Sequence, residues 1–129
     1  MNKKILLVDD DIDFLNQIEI HLKNSGFDVA VSESEKDAEK LLPIFNPDLV
    51  ITDLMIDNFD AGFLLAYKVK KFNPQIPVII VTGVTHELGF KFYAGTQEER
   101  QWIKADAILN KPIRYEQLLK EIYTHLHLD

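Results

Sequence analysis

Four short groups of chemically capable side chains each follow an apolar run. Asp9-Asp10-Asp11 follows Ile5-Leu6-Leu7-Val8, and Asp53 comes directly after Leu49-Val50-Ile51-Thr52. Thr82-Gly83 follows Val78-Ile79-Ile80-Val81, and Asn110-Lys111-Pro112 follows Ala107-Ile108-Leu109. Apart from Thr82, these are poor strand residues, so each group marks the end of an apolar run rather than its middle. A double acid at the end of a buried strand is costly unless a cationic side chain or a metal ion compensates it. Carboxylates, a hydroxyl and an ammonium brought to one place would therefore form a charge-balanced site with oxygen ligands for a cation.

The apolar runs are too short for helices and rich in branched residues, which reads as strands buried on both faces of a parallel sheet. A weaker strand is expected over Asp28 to Val31, and a fifth over Ala107 to Leu109. Between them lie amphipathic segments. Residues 11–25 carry Ile12, Leu15, Ile18 and Leu22, with Gly26 as a stop signal. Residues 35–45 carry Ala38, Leu41, Leu42 and Phe45, with Ser34 as N-cap and with Pro43 expected to kink or shorten the last turn. Residues 62–72 carry Leu64, Leu65, Tyr67, Val69 and Phe72; residues 114–127 carry Leu118, Leu119, Ile122 and Leu126. The pattern is a (βα)5 array in a single domain, residues 1–129. In such a sheet ligands bind beyond the carboxyl ends of the strands, where all four groups fall.

One interval is irregular. A capping-box spacing at Thr96-Gln97-Glu98-Glu99 predicts a helix through Trp102, Ile103 and Ala105. That leaves Gly83 to Gly95, with Phe90, Phe92 and Tyr93, as a long loop or partly ordered insert, either a switching or contact segment or a small aromatic cluster folded on the core.

Composition bounds the function. The 129 residues include 21 acidic and 14 basic side chains, for a net charge of −7, and no cysteine. Thiolate chemistry and Cys-ligated zinc are excluded, and the acidity argues against affinity for a nucleic-acid backbone. The longest apolar stretch, Ile76 to Val84, falls far short of the ~20 residues of a membrane span. The start, MNKKILLVDDD, lacks a signal peptide's apolar segment, so a cytoplasmic location is expected. Seven of the acids are Asp9, Asp10, Asp11, Asp13, Asp53, Asp57 and Asp60, so the excess charge is largely local to one end of the expected sheet. The four histidines are dispersed, with His21, His125 and His127 expected on helices and His86 in the long loop.

Taken together, LLVDD (Asp9, Asp10), LVITDLM (Asp53), VIIVTG (Thr82, Gly83) and ILNKP (Lys111, Pro112) resemble the receiver domain of two-component response regulators over essentially the whole chain. The resemblance implies a flavodoxin-like α/β fold: five parallel strands in the order 2-1-3-4-5 with helices on both faces. It implies transfer of a phosphoryl group from the phosphohistidine of a sensor kinase or phosphotransfer protein onto Asp53, followed by a conformational change read by a downstream protein or an output domain. It also implies Mg2+, held by Asp10 and Asp53, with Asp9 acting through water and Met55 through its backbone carbonyl. Lys111 would add a second positive charge, Thr82 a hydroxyl for a phosphoryl oxygen, and Gly83 an open approach. Asp11 and Asp13 are read as N-cap and first-turn acid of the first helix in preference to metal ligands.

Three positions depart from the family pattern. Where most receivers have a proline and then a glycine after the acceptor, this chain has Asp57 and Ala61, with Gly62 one place later, which suggests a one-residue insertion. Asp57 and Asp60 would add negative charge near the pocket. The family's aromatic switch position is Ile108, which cannot reproduce the two positions of a ring. Two other readings stand beside this one. The first is a small phosphatase or phosphotransferase of the haloacid dehalogenase type using the Asp9 and Asp11 of an Asp-x-Asp, although no cap domain is visible. The second is a degenerate receiver that serves only as an interaction surface. A monomer or weak homodimer is expected, any dimer using a face with Trp102, Ile108 and Tyr115. The end of the chain just past the last helix fits either a stand-alone regulator or a receiver separated from its output domain.

Overall fold

The computed structural model describes residues 2–56, 61–83 and 104–128. In chain order these form β1 (Lys4–Val8), α1 (Ile12–Asn24), β2 (Asp28–Ser32), α2 (Glu35–Phe45), β3 (Leu49–Thr52), α3 (Ala61–Phe72), β4 (Val78–Thr82), β5 (Ala107–Asn110) and α4 (Tyr115–Leu126). All pairings are parallel, in the order β2-β1-β3-β4-β5. The expected flavodoxin-like order therefore holds. The helix predicted from Thr96, the aromatics of the 83–95 loop beyond Gly83, His86, Trp102, Asp57 and Asp60 lie outside the described residues.

Alternation along each strand sorts the core into two halves. Ile5, Leu7, Ile51, Ile79, Val81 and Leu109 face Leu15, Ile18 and Leu22 of α1 and Leu118 and Ile122 of α4. Leu6, Val8, Val50, Val78 and Ile80 face Ala38 and Leu42 of α2 and Leu65, Ala66 and Val69 of α3. Helices thus cover both faces. The three inner strands are buried almost throughout, which is why they read as unbroken apolar runs. Each large buried side chain contributes roughly 1.5–3 kcal/mol of transfer free energy.

The helix ends follow their local chemistry. Asp11 caps α1, its side chain accepting the Phe14 N–H at 3.2 Å, and Ser34 caps α2 by accepting the Asp37 N–H at 3.2 Å. After α1 the chain turns through Gly26 at φ +95°, a left-handed conformation that favours glycine. Pro43 neither ends nor shortens α2, which runs to Phe45 and closes on a left-handed Asn46. The proline lies in the last turn and removes only one intrahelical donor there. His127 is not helical as expected; it is the left-handed C-cap of α4.

Two stripes differ from the sequence reading. Ile12 is exposed, as are Leu64, Tyr67 and Phe72, while α3 buries Gly62, Leu65, Ala66 and Val69. The small residues let α3 approach the end of β3. A Cβ on Gly62 would overlap the Asp53 carbonyl oxygen and lie 2.7 Å from Leu54 Cα. Gly62 therefore permits the close approach of α3 to the end of β3.

At the amino edge of the sheet, acids are bound to strand N–H groups. Asp48 Oδ2 accepts the Lys4 N–H at 2.8 Å. Asp106 Oδ2 accepts the Val78 N–H at 2.8 Å and the Lys70 ammonium at 2.7 Å. Across the helical layer, Lys68 of α3 pairs with Glu35 and Glu39 of α2, at 2.6 Å each. Tyr115, named for a possible dimer face, turns toward α1: its hydroxyl lies 2.8 Å from Ser25 Oγ and donates to the His21 carbonyl at 3.0 Å.

Candidate functional site

At the carboxyl edge, register brings the reactive groups together. Val8 is level with Thr52, Thr52 with Ile80, and Thr82 with Asn110. The ladder continues one step beyond the strands. The Asp53 N–H donates to the Val8 carbonyl at 2.9 Å, and the Lys111 N–H to the Thr82 carbonyl at 2.9 Å. Asp9, Asp53, Thr82 and Lys111 are thereby placed on one rim by backbone bonds alone.

The acids occupy distinct environments. Asp9 is 1% exposed, Asp10 is exposed, and the Asp53 side chain is 11% exposed. Each offers one carboxylate oxygen to a group whose ligand atoms lie within 4.8 Å of one another. Three hard oxygen donors at that spacing fit a small divalent cation such as Mg2+. Met55, whose carbonyl was expected as a further ligand, is half-buried two residues after Asp53.

Lys111 bridges the acids. Its ammonium donates to Asp9 Oδ2 at 2.8 Å and lies 3.9 Å from Asp53 Oδ1. The ammonium also stands 4.2 Å from the centre of the Phe14 ring. The Lys111-Pro112 peptide is cis. Asp9 Oδ1 accepts the Asp11 N–H and Asp53 Oδ1 accepts the Leu54 N–H, both at 2.9 Å.

These surroundings tune Asp53. Burial raises its pKa from 3.8 to about 6, and the charges of Asp9 and, more weakly, Asp10 push the same way. Lys111 and the Leu54 N–H oppose the rise. An acid carrying such strain is a good place for a cation to bind, because the cation relieves it.

Of the described site residues expected from the sequence, Asp9, Asp10, Asp53, Thr82, Gly83 and Lys111 lie at or beside this rim, and Ile108 lies within β5. Thr82 is buried at the end of β4. Gly83 is exposed, and among the described residues a Cβ there would meet only Lys111 Cβ, at 4.0 Å. Ile108 pairs with Ile80 on β4 and packs against the α2–α3 half of the core. Asp11 is exposed and serves α1 as its cap, which gives no support to a paired Asp9–Asp11 active site. The sequence reading missed Phe14 and the Leu54 N–H. An aromatic in the first turn after the triple acid was the available signal for Phe14; a backbone donor carries none.

A family model for the response regulator receiver domain matches residues 5–123. The chain belongs to the response regulator receiver family. Among curated receiver-containing relatives, it is 30% identical over 87 residues to the alkaline phosphatase synthesis transcriptional regulatory protein PhoP of Bacillus subtilis (strain 168), covering 67% of this chain and 36% of that protein. It is 29% identical over 131 residues to the transcriptional regulatory protein ZraR of Escherichia coli (strain K12), covering 98% of this chain and 27% of that protein. The chain thus spans about a third or less of these relatives. A CheY-like receiver domain protein from Methanospirillum hungatei JF-1 superposes with TM-score 0.81 at 24% identity, over 98% of this chain and 95% of that one. A receiver domain protein from Clostridium thermocellum gives TM-score 0.81 at 25% identity, over 97% and 94%. As a receiver domain the chain is a module of two-component signalling, a family in which phosphorylation and Mg2+ are characteristic. No helix among the described residues is long and apolar enough to cross a membrane.

Proposed function

We propose that residues 1–129 act as a phosphoacceptor switch in which Asp53 receives a phosphoryl group. The observation that carries this reading is the ammonium of Lys111 set between Asp9 and Asp53, beside three converging carboxylates. In the transfer, an Asp53 oxygen attacks phosphorus as the P–N bond of a donor phosphohistidine breaks, and the imidazole nitrogen leaves with the electron pair. Such a transition state needs alignment and charge neutralisation more than covalent help. Lys111 meets the phosphoryl charge from one side, and the Thr82 hydroxyl bonds a phosphoryl oxygen. Mg2+ bound to Asp9, Asp10, Asp53 and the Met55 carbonyl would neutralise the remaining charge. Gly83 leaves the entrance free.

The donor partner is a sensor histidine kinase or a histidine phosphotransfer protein, and the reader is a downstream protein or an output domain. Since a kinase's phosphohistidine is made from a nucleotide triphosphate, the exchange belongs in the cytoplasm. The chain contacts neither nucleic acid nor membrane, and works as a monomer or weak homodimer. It assists only its own phosphorylation and dephosphorylation, and so is not a turnover enzyme. Thr82 and Ile108 form the switch; Ile108, a branched aliphatic packed on the core, transmits a shift without a ring rotation.

Intact mass after incubation with Mg2+ and acetyl phosphate tests the assignment. One added phosphoryl group on wild type and none on Asp53→Asn is the expected result. Labelling of Asp9 or Asp11 would transfer the reading to the dehalogenase type, and no labelling would leave an interaction-only receiver.

A further inference from the structure

Building on the reading of Asp53 and Lys111 above, we propose that Phe14 is a positioning residue for phosphoryl transfer, its ring face holding the Lys111 ammonium over the acceptor carboxylate.

The need for such a residue follows from the lysine itself. Its ammonium sits on a flexible four-carbon stem with several rotamers. Backbone bonding of Lys111 to Thr82 fixes the start of that stem and not its tip. Asp9 attracts the tip at 2.8 Å, but Asp9 alone would draw it away from Asp53, which is 3.9 Å distant. The Phe14 ring centre, 4.2 Å from Nζ, supplies a third contact. An aromatic face attracts a cation through its quadrupole without neutralising it and without accepting a directed hydrogen bond. The ammonium can then turn its N–H groups toward incoming phosphoryl oxygens while remaining against the ring.

The ring is itself held in place. Phe14 lies in the first turn of α1 and packs against the half of the core that contains Ile5, Leu7 and Leu15. Its N–H is bound by Asp11 Oδ1, while the Asp11 N–H donates to Asp9 Oδ1 at 2.9 Å. One residue, Asp11, therefore orients both groups that grip Lys111. This gives the third acid of Asp9-Asp10-Asp11 a part in the site without making it a ligand.

The experiment compares Phe14→Leu, which keeps an apolar side chain, with Phe14→Tyr, which keeps the ring. In the wild type without any phosphoryl group, the Lys111 ε protons should be displaced upfield by the ring, a shift kept in Phe14→Tyr and lost in Phe14→Leu. Beryllofluoride, a phosphoryl mimic, should bind Phe14→Leu about fivefold more weakly in the presence of Mg2+. The saturating rate of acetyl phosphate labelling should fall by a similar factor, with little change in the half-saturating donor concentration. Phe14→Tyr should restore both to within about twofold. Unshifted Lys111 ε protons in the wild type overturn the proposal, and so does an equal loss in the leucine and tyrosine variants. If the wild type binds no beryllofluoride and takes no label, the acceptor reading fails instead, and the ring shift still decides whether Phe14 holds the lysine.

Discussion

The Lys111 ammonium is bonded to Asp9 at 2.8 Å and stands 3.9 Å from Asp53, so the cation at this site is nearer to the acid that is not the proposed acceptor. Asp9 is also the most buried of the three carboxylates. Any divalent ion entering the cluster must share Asp9 with a resident positive charge.

Removing that charge should strengthen metal binding and weaken phosphotransfer. In Lys111→Met, the loss of a competing ammonium is expected to tighten Mg2+ binding by about 1 kcal/mol, or roughly fivefold. The acetyl phosphate labelling rate should fall by at least about tenfold, since one stabilising charge is lost from the transition state. Calorimetric titration with Mg2+ and mass-resolved labelling measure the two effects. Weaker metal binding in the variant would show that Lys111 organises the carboxylates rather than competing for them.

Asp53 makes stability depend on pH in a direction opposite to the usual carboxylate. Its folded pKa is about 6 against 3.8 for the free group, so between these values the folded state holds more protons than the unfolded chain. This group's contribution to stability is therefore greatest below pH ~4 and is lost as pH rises through about 6. Asp53→Asn should accordingly stabilise the metal-free protein at pH 7.5 by roughly 1–3 kcal/mol and by about a third as much at pH 4.5. Urea denaturation at the two pH values provides the comparison. Equal gains at both would mean that burial of charge is not the cause.

Gly62→Ala tests the close approach of α3 to the acceptor. The added methyl would run into the Asp53 carbonyl oxygen and Leu54 Cα, both backbone, so neither can swing aside as a side chain would. A loss of about 2–3 kcal/mol in urea is expected, together with slower labelling of Asp53 as its loop shifts. Gly83→Ala is the control: among the described residues a Cβ there meets nothing nearer than 4.0 Å, and stability should change by less than about 0.5 kcal/mol.

Asp11 separates a capping role from metal chemistry. Asp11→Ala should lower stability by about 1 kcal/mol through loss of the bond to the Phe14 N–H. Asp11→Asn, which keeps an acceptor oxygen, should regain most of that and still label at Asp53. Loss of labelling in Asp11→Asn would restore the Asp-x-Asp reading.

How far the chain could be read without coordinates depended on the kind of interaction. The strands were legible because β1, β3 and β4 are buried on both faces and so must be apolar throughout. Asp9, Asp53, Thr82 and Lys111 were legible because each breaks or ends such a run. The stripe of α3 was misread because periodicity weights large apolar residues. Leu65 and Val69 are buried as the stripe required, whereas Leu64, Tyr67 and Phe72 satisfied the count and are exposed; contact with the β3 loop needs small residues, and Gly62 and Ala66 complete the buried face. The Lys111–Asp9 bond joins residues 102 positions apart and leaves no local mark. Phe14 was overlooked for a related reason: an aromatic in the first turn of an amphipathic helix looks like core until a cation is found on its face.

The acids at the two edges of the sheet are chemically alike and behave differently because all five strands run the same way. Where strands begin they offer N–H groups, and Asp48 and Asp106 are tied to Lys4 and Val78 there. Where strands end they offer carbonyl oxygens, which repel a carboxylate, so Asp9 and Asp53 must look to single N–H groups of the following loops and to Lys111. Chain direction alone thus decides which aspartates are inert fasteners and which remain hungry for positive charge. Reversing a single inner strand would silence the site without altering one of its residues.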